Sequence, residues 1–429
     1  MPGAVHRRWR WAAFAWMIAD VREPDRVGWG FISRYALASM GTSLVFLAPL
    51  LVTLALKVNS LVGIEEAPNS LALVAGTGSV VSMIANPFFG KLSDRTSSRL
   101  GMRRPWMVAG LGGGCVGILI VALAPSVAVV LVGWCLAQLA LNALLAALVA
   151  VLPDQVPVTQ RGSVAGFLGI GLPVASVTAT YLVQLFTGNR LLMFLAPCAI
   201  GGFFVLLFAV TLTDRRLGPA DKPPWSVREL LSTFYFNPRT SPDFAWAFTS
   251  RFLLVLAYAF LATYQAYYLL DQIGSPEADV PHQIFQGTLA QSVVLIAASL
   301  VGGYLSDRTG RRKVLVVTAS ILYGVAMLVI AVSDTFTGYL TGMAISGLGF
   351  GLYVAVDLAL VADVLPDRAT AAKDLGVFNI ASALPFFVAP ALAPGILALG
   401  NGSYAVLYTV AALSAILGAT AILPIKRVR

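Results

Sequence analysis

The chain has 429 residues, 58% of them hydrophobic and 11% charged, with a net charge of +9. A water-facing globular domain carries about 25% charge, so this composition excludes a soluble fold and points to an integral membrane protein. The basic residues fall in short stretches between apolar runs, a placement that has a membrane explanation and does not indicate nucleic acid.

The apolar runs are long enough for membrane helices of about 20 residues; barrel strands need only about 9–11 and alternate. Cys115, Cys135 and Cys198 all fall inside apolar segments, with no disulfide or metal spacing. His6 and His282 are the only histidines. The sequence shows no nucleophile–base pair and no metal cluster, so no enzyme activity, cofactor or metal is expected.

Residues 1–30 contain HRRWRWAAFAWMIAD, whose apolar run is interrupted by Asp20 and lacks a small-residue cleavage site. They are expected to form a cytoplasmic tail, in part an amphipathic segment with Trp9, Trp11 and Trp16 at the membrane surface. The N-terminal half, 31–212, holds six predicted spans near 31–56, 70–90, 105–124, 127–152, 163–186 and 191–212. Span one offers Arg34, Ser39, Thr42 and Ser43. Span four offers Gln138 and Asn142, one turn apart on one face. Between spans two and three, GKLSDRTSSRLGMRRPW concentrates Lys91, Asp94, Arg95, Arg99, Arg103 and Arg104.

Residues 213–243 carry Pro219, Pro223, Pro224, Pro238 and Pro242 and read as a linker. The C-terminal half, 244–429, holds six more spans near 244–271, 284–305, 314–333, 336–364, 375–398 and 402–424. Span seven spaces Arg251, Tyr258, Gln265 and Gln272 seven residues apart, with Tyr264, Tyr267 and Tyr268 nearby. Lipid is a poor neighbour for that stripe, so it is expected to face a central cavity. Arg34 and Arg251 lie near span ends and could instead extend to the interface. Span ten carries Tyr353 and Asp357. Asp357 lies roughly 12 Å from the end of the span, too deep for a short carboxylate to reach water. Ionisable residues at such depth are functional candidates by default. It reads as a proton carrier, as an acid held in a fixed pair with an arginine, or as an acid kept protonated.

The two halves repeat. Gly90-Lys91-Leu92-Ser93-Asp94-Arg95 matches Gly303-Tyr304-Leu305-Ser306-Asp307-Arg308 at an offset of 213, and Val151-Leu152-Pro153-Asp154 matches Val364-Leu365-Pro366-Asp367 at the same offset. Leu172-Pro173 matches Leu384-Pro385 at 212, and Phe31 to Tyr35 match Phe248 to Phe252 at 217. Four landmarks in one order indicate duplication. With both termini cytoplasmic, 25 of the 29 basic residues lie on the cytoplasmic side, and only Lys57 and Arg190 lie in outer loops beside Glu65, Glu66, Glu277 and Asp279. Parallel six-helix halves that enclose a midplane site suggest a transporter.

On these motifs the chain resembles the major facilitator superfamily. The two loops are similar to its Gly-x-x-x-Asp-Arg-x-Gly-Arg-Arg/Lys signature, and the first, ending Arg103-Arg104-Pro105-Trp106, is similar to glycoside–pentoside–hexuronide:cation symporters and sucrose-transporter-like proteins. The stretch ALVADVLPDRATAAKDLGVFNIASALP points the same way. Span two has only Asn86 where sodium-coupled members of that group carry paired acids, and span five has Pro173 without the flanking glycines of drug:proton antiporters. The resemblance implies an all-α fold of twelve transmembrane helices in two pseudo-symmetric halves, with spans one, four, seven and ten lining the cavity. It also implies a cytoplasmic gate of Gly90, Asp94, Arg95, Arg99, Arg103, Arg104, Asp154, Gly303, Asp307, Arg308, Arg311, Arg312 and Asp367. There Asp94 and Asp307 would face the starts of spans eleven and five, and the two glycines would allow close helix approach. The expected function is proton-coupled transport of a small polar solute, a sugar or glycoside, by a monomer in the plasma (inner) membrane; the alternative is a drug or metabolite exporter of the same fold.

Overall fold

The computed structural model describes residues 26–218, 241–364 and 378–425. Its helices are numbered α1 to α12 in chain order. α1 (Trp29–Ala48) runs through a π-helical segment, Pro49–Thr53, into α2 (Leu54–Asp94). The N-terminal half continues with α3 (Arg104–Leu123), α4 (Val127–Gln155), α5 (Val158–Leu185) and α6 (Arg190–Thr211). The C-terminal half holds α7 (Pro242–Tyr267, then a π segment Tyr268–Gln272), α8 (Val280–Thr309) and α9 (Arg312–Ala331). It ends with α10 (Phe336–Val364), α11 (Phe378–Leu399) and α12 (Tyr404–Ala421).

Among the described residues eleven helical runs are long and apolar enough to cross a membrane, and the first, Trp29–Asp94, is 66 residues long. At 1.5 Å per residue that run would be about three times as long as the hydrocarbon core is thick. It is in fact two spans, because Gly63 breaks the helix with φ 76° and ψ 166°. Only glycine adopts that conformation without steric cost. The expected loop at 57–69 is therefore a helical corner: Glu65 and Glu66 stand in the first turn after the break, where acidic side chains favour a helix N-terminus. This gives twelve spans.

The packing obeys the duplication. α1 packs on α5 and α6 as α7 packs on α11 and α12. α2 packs on α4 as α8 on α10, and α3 on α4 and α6 as α9 on α10 and α12. The halves meet most extensively along α2 against α11 and α5 against α8, two contacts that the pseudo-two-fold exchanges, and α7 also meets α2 and the π segment Pro49–Thr53.

One part of the expected linker belongs to the N-terminal half. The Asp214 carboxylate accepts hydrogen bonds from the backbone N–H groups of Arg103 (2.7 Å) and Arg104 (2.9 Å), capping α3 from 111 residues away. Met102 N–H donates to the Arg215 carbonyl at 3.1 Å. Gly101 has φ +104°, and a Cβ there would collide with the Asp214 carboxylate. By contrast Gly90 and Gly303, expected at close helix approaches, stand in open space: a Cβ on either would meet nothing within 4 Å. The close approach expected of these two glycines is absent here.

These two environments separate by experiment. Gly101→Ala is expected to destabilise the folded protein by about 1–3 kcal/mol through backbone strain and a displaced cap. Gly90→Ala, inside a helix with free space around it, is expected to be neutral or stabilising by up to about 1 kcal/mol. Thermal melting of the two variants in detergent checks the contrast.

Candidate functional site

The deepest charges among the described residues meet each other. Arg251 Nη1 on α7 donates to Asp357 Oδ2 on α10 at 2.6 Å, and the two side chains are 17% and 9% exposed. The same guanidinium donates through Nε to Ser382 Oγ on α11 at 2.6 Å and lies over the Phe378 ring, 4.8 Å from its centroid. Three helices thus converge on one cation. Asp357 Oδ1 is buried without a hydrogen-bond partner, so this carboxylate is only half satisfied. Tyr353, one turn away on α10, interacts with both members of the pair. Arg251 thus turns inward to Asp357 and not to the interface.

An aromatic wall continues from the pair toward the midplane. Tyr258 stacks on Phe350 at 5.0 Å between centroids and meets Phe386 edge-on at 6.0 Å. Phe350 in turn contacts Tyr353 and Tyr323. Tyr258 and Gln265 line a midplane cavity with Leu51, Ser176, Thr288 and Gln291. The cavity holds about 10 Å³, room for about one water.

Other expected cavity residues are committed elsewhere. Gln138 and Asn142 face α2: Asn142 Nδ2 donates to the Gln138 carbonyl at 2.8 Å, and Asn86 donates to Asn142 Oδ1 at 3.3 Å. They act as interhelical polar contacts inside one half. Thr42 donates to its own helix at Ala38. Arg34 Nε donates to the Gly30 carbonyl at 2.6 Å in an exposed position. Ser39 is half-buried on α1. Tyr264 is fully buried against Tyr267, its hydroxyl unpartnered. The seven-residue stripe of α7 holds as a face only in part, since Gln272 has left it to bond Asp334 at 3.1 Å.

Duplication makes the pair more informative. Arg34 is the repeat partner of Arg251, but at the matching offsets Asp357 corresponds to Leu144, Ser382 to Ile170 and Phe378 to Gly166. The backbone is shared by both halves, while the ion pair and its supports belong to one. Ser382 and Phe378 escaped the sequence reading, although both lie in or beside the stretch FNIASALP.

Toward the acid-rich end, where Glu65 and Glu277 lie, the halves are tied together. Gln265 reaches the Leu51 carbonyl at 3.5 Å and also accepts from Tyr339; Tyr267 donates to the Ala55 carbonyl at 3.0 Å. Pro49 lacks an N–H and opens the π segment, where Leu51 lies. Wider backbone rungs there make carbonyls accessible to side chains. At the rim, His282 meets Gln184 at 2.6 Å and Asn59 donates to Glu277 at 3.4 Å.

At the opposite, basic end, Arg103 is the hub. Its guanidinium, 5% exposed, pairs with Asp94 at 2.6 Å and Asp154 at 2.8 Å and also bonds Ser93. Burial works against its charge, but the two carboxylates outweigh that and hold its pKa above the ordinary arginine value. All four residues belong to the N-terminal half, so Asp94 clamps its own loop. The start of span eleven expected near Leu375, which Asp94 was to face, lies outside the described residues. Arg104 bonds the Val210 carbonyl, and Arg99 is exposed. Arg95 is half-buried at the end of α2, and Arg312 opens α9. In the second copy Asp307 is exposed without an ion pair to a described residue, Arg308 donates to the Tyr304 hydroxyl, and Arg311 is exposed. Asp367 lies outside the described residues.

Twelve spans in two similar halves, tied together at one end, make an all-helical membrane fold. The Major Facilitator Superfamily model matches residues 31–287 and 281–429, and the chain belongs to that superfamily. Among curated relatives, the multidrug resistance protein MdtL of Shigella flexneri serotype 5b and that of Escherichia coli strain K12 / DH10B are each 33% identical over 148 residues, 33% of this chain. The chain spans 37% of the length of these relatives. Among solved structures the fold is similar to the nucleoside transporter NupG in a mutant form (TM-score 0.73, 14% identity, 92% of this chain and 99% of that one). It is also similar to the human organic anion transporter MFSD10 (TM-score 0.65, 16% identity, 91% and 98%).

A buried pair with one half-satisfied carboxylate is sensitive to losing either member. Arg251→Gln or Asp357→Asn is expected to cost about 3–5 kcal/mol of stability, whereas the apolar double variant Arg251→Met with Asp357→Leu recovers most of it. A double-mutant cycle from melting curves in detergent measures the coupling.

Proposed function

We infer that this transporter carries a small polar solute, of the sugar or glycoside class, coupled to protons through Asp357 and Arg251. The observation that carries the coupling is the buried Arg251–Asp357 pair, with a carboxylate oxygen left without a partner beside an aromatic wall. A proton on Asp357 cancels its attraction for Arg251. The guanidinium, still held by Ser382 and Phe378, is then free to donate to a solute hydroxyl. Loss of the proton draws Arg251 back and displaces the solute. Tyr258 and Phe350 supply flat apolar faces suited to a sugar ring, and Gln265 and Ser176 supply polar groups next to them.

The solute class is supported by the Arg103-Arg104-Pro105-Trp106 ending of the first signature loop, which resembles the glycoside and sucrose carriers. The orientation follows the charge: the basic end faces the cytoplasm, in the plasma (inner) membrane, with the chain acting as a monomer. On that orientation the ties at the acid-rich end close the outward path. A second reading is export of drugs or metabolites by proton exchange. Two observations favour it, the partial match to MdtL and the aromatic character of the wall.

Proton movement decides between them. De-energised cells expressing the protein are given a panel of sugars and glycosides while external pH is followed. Symport is expected to alkalinise the medium with one solute, and Asp357→Asn to abolish the signal. Silence across the panel, together with proton-driven efflux of apolar cations, would replace the first reading with the second.

A further inference from the structure

We propose that the pocket between the π segment Pro49–Thr53, the start of α2, α6 and the α7–α8 loop is an oxyanion site with Glu277 in its wall, and that a solute or headgroup oxyanion loosens the acid-rich end by competing with Glu277 for Arg190. The pocket measures about 270 Å³ and is lined by Thr53, Lys57, Ser60, Thr187, Arg190 and Glu277, among others. Lys57 and Arg190 are the two basic residues assigned to the loops of this end, and both line this one cavity.

Each cation has capacity to spare. Lys57 Nζ donates to the Ala122 carbonyl at 3.0 Å, one acceptor for an ammonium with three donors. Arg190 reaches Glu277 only at 4.0 Å, with the side chains 69% and 46% exposed. Thr53 Oγ1 is buried in the lining without a hydrogen-bond partner, in a residue 1% exposed. The site therefore holds two cations and an unpartnered hydroxyl, and Glu277 reaches only Arg190 of these, at 4.0 Å.

The symmetry-related pocket supplies a contrast. Glu277, Ala278 and Pro281 correspond to Ile64, Glu65 and Pro68 at the repeat offset of 213. Those three residues line a second cavity of about 320 Å³ with Asp271 and Tyr404, and no basic residue lines it. One fold position is thus cationic in one copy and acidic in the other, so the cations are not a requirement of the scaffold.

The consequence follows from competition. Lys57, Asn59 and Arg190 belong to the N-terminal half and Glu277 to the C-terminal half, so the contact ties the halves. An oxyanion held between Lys57 and Arg190 competes with Glu277 for Arg190. It therefore binds the parted state better and shifts the population toward it.

The test uses the full chain with its three cysteines replaced by serine and Ala55→Cys added. Ala55 is 3% exposed beneath Tyr267, so its labelling by a bulky maleimide reports parting of the seam. Inorganic phosphate, exchanged for chloride at constant ionic strength, is expected to speed labelling about two- to fivefold, the scale of one exposed ion pair. Glu277→Gln is expected to raise the basal rate by a similar factor and to remove the response. Lys57→Gln with Arg190→Gln removes the response as well. Nanodiscs of phosphatidylcholine with and without phosphatidylglycerol separate the sources. A response to dissolved phosphate in both assigns the site to a solute, and acceleration by phosphatidylglycerol alone assigns it to a headgroup. No acceleration by either, or a response that survives Lys57→Gln with Arg190→Gln, overturns the proposal.

Discussion

Hydrocarbon offers no partner to a polar group, so every charge and every open carbonyl in this bundle must find one within the protein. That constraint organises the molecule. Asn86, Gln138 and Asn142 satisfy one another between α2 and α4, and the hydroxyls of Tyr267 and Tyr268 reach carbonyls on α2 and α9. The Arg251–Asp357 pair is the most demanding instance, since both ions lose water and only three of the surrounding groups compensate the cation. An ion pair placed this deep is weak support for stability. Its presence in one half, opposite Leu144 and Ile170 in the other, makes a reason other than folding the simpler account.

Much of the architecture was legible in the sequence because it depends on run length and repetition. Twelve spans follow from apolar runs, and the duplication from landmarks at a near-constant offset; most of the expected linker lies outside the described residues. Pairings across helices were not legible in the same way. Arg251 and Asp357 were each singled out, but their contact spans 106 residues, and periodicity shows which face is polar without showing what meets it. Gln138 and Asn142 have the spacing of a polar face; that they turn toward Asn86 depends on helix rotation, which Gly78 helps to set by leaving space for Trp134. Asp214 gave no sign of itself, because a cap supplied from across the fold has no local pattern.

The two ends of the bundle are held by different means. At the basic end the contacts of Arg103 and Asp214 lie within one half and make it rigid. At the acid-rich end the contacts run between halves and are individually small: single hydrogen bonds to carbonyls, and one long ion pair. Rigid halves joined by weak seams are what a rocking motion needs, because packed interiors resist continuous deformation while a seam of separate small contacts can part at low cost.

The cavity beside Tyr258 lies where the proposed site and the seam meet. Gln265 touches the Leu51 carbonyl, accepts from Tyr339 and lines the same space as Tyr258. A solute seated against Tyr258 needs more room than about 10 Å³, so binding and the present seal at Gln265 are in competition. Arg251 stands on the same helix two seven-residue steps away, toward the basic end. A change at the Arg251–Asp357 pair and a change at the seam are thus joined by one helix, α7. The half that carries the pair therefore also carries the side chains that close the opposite end.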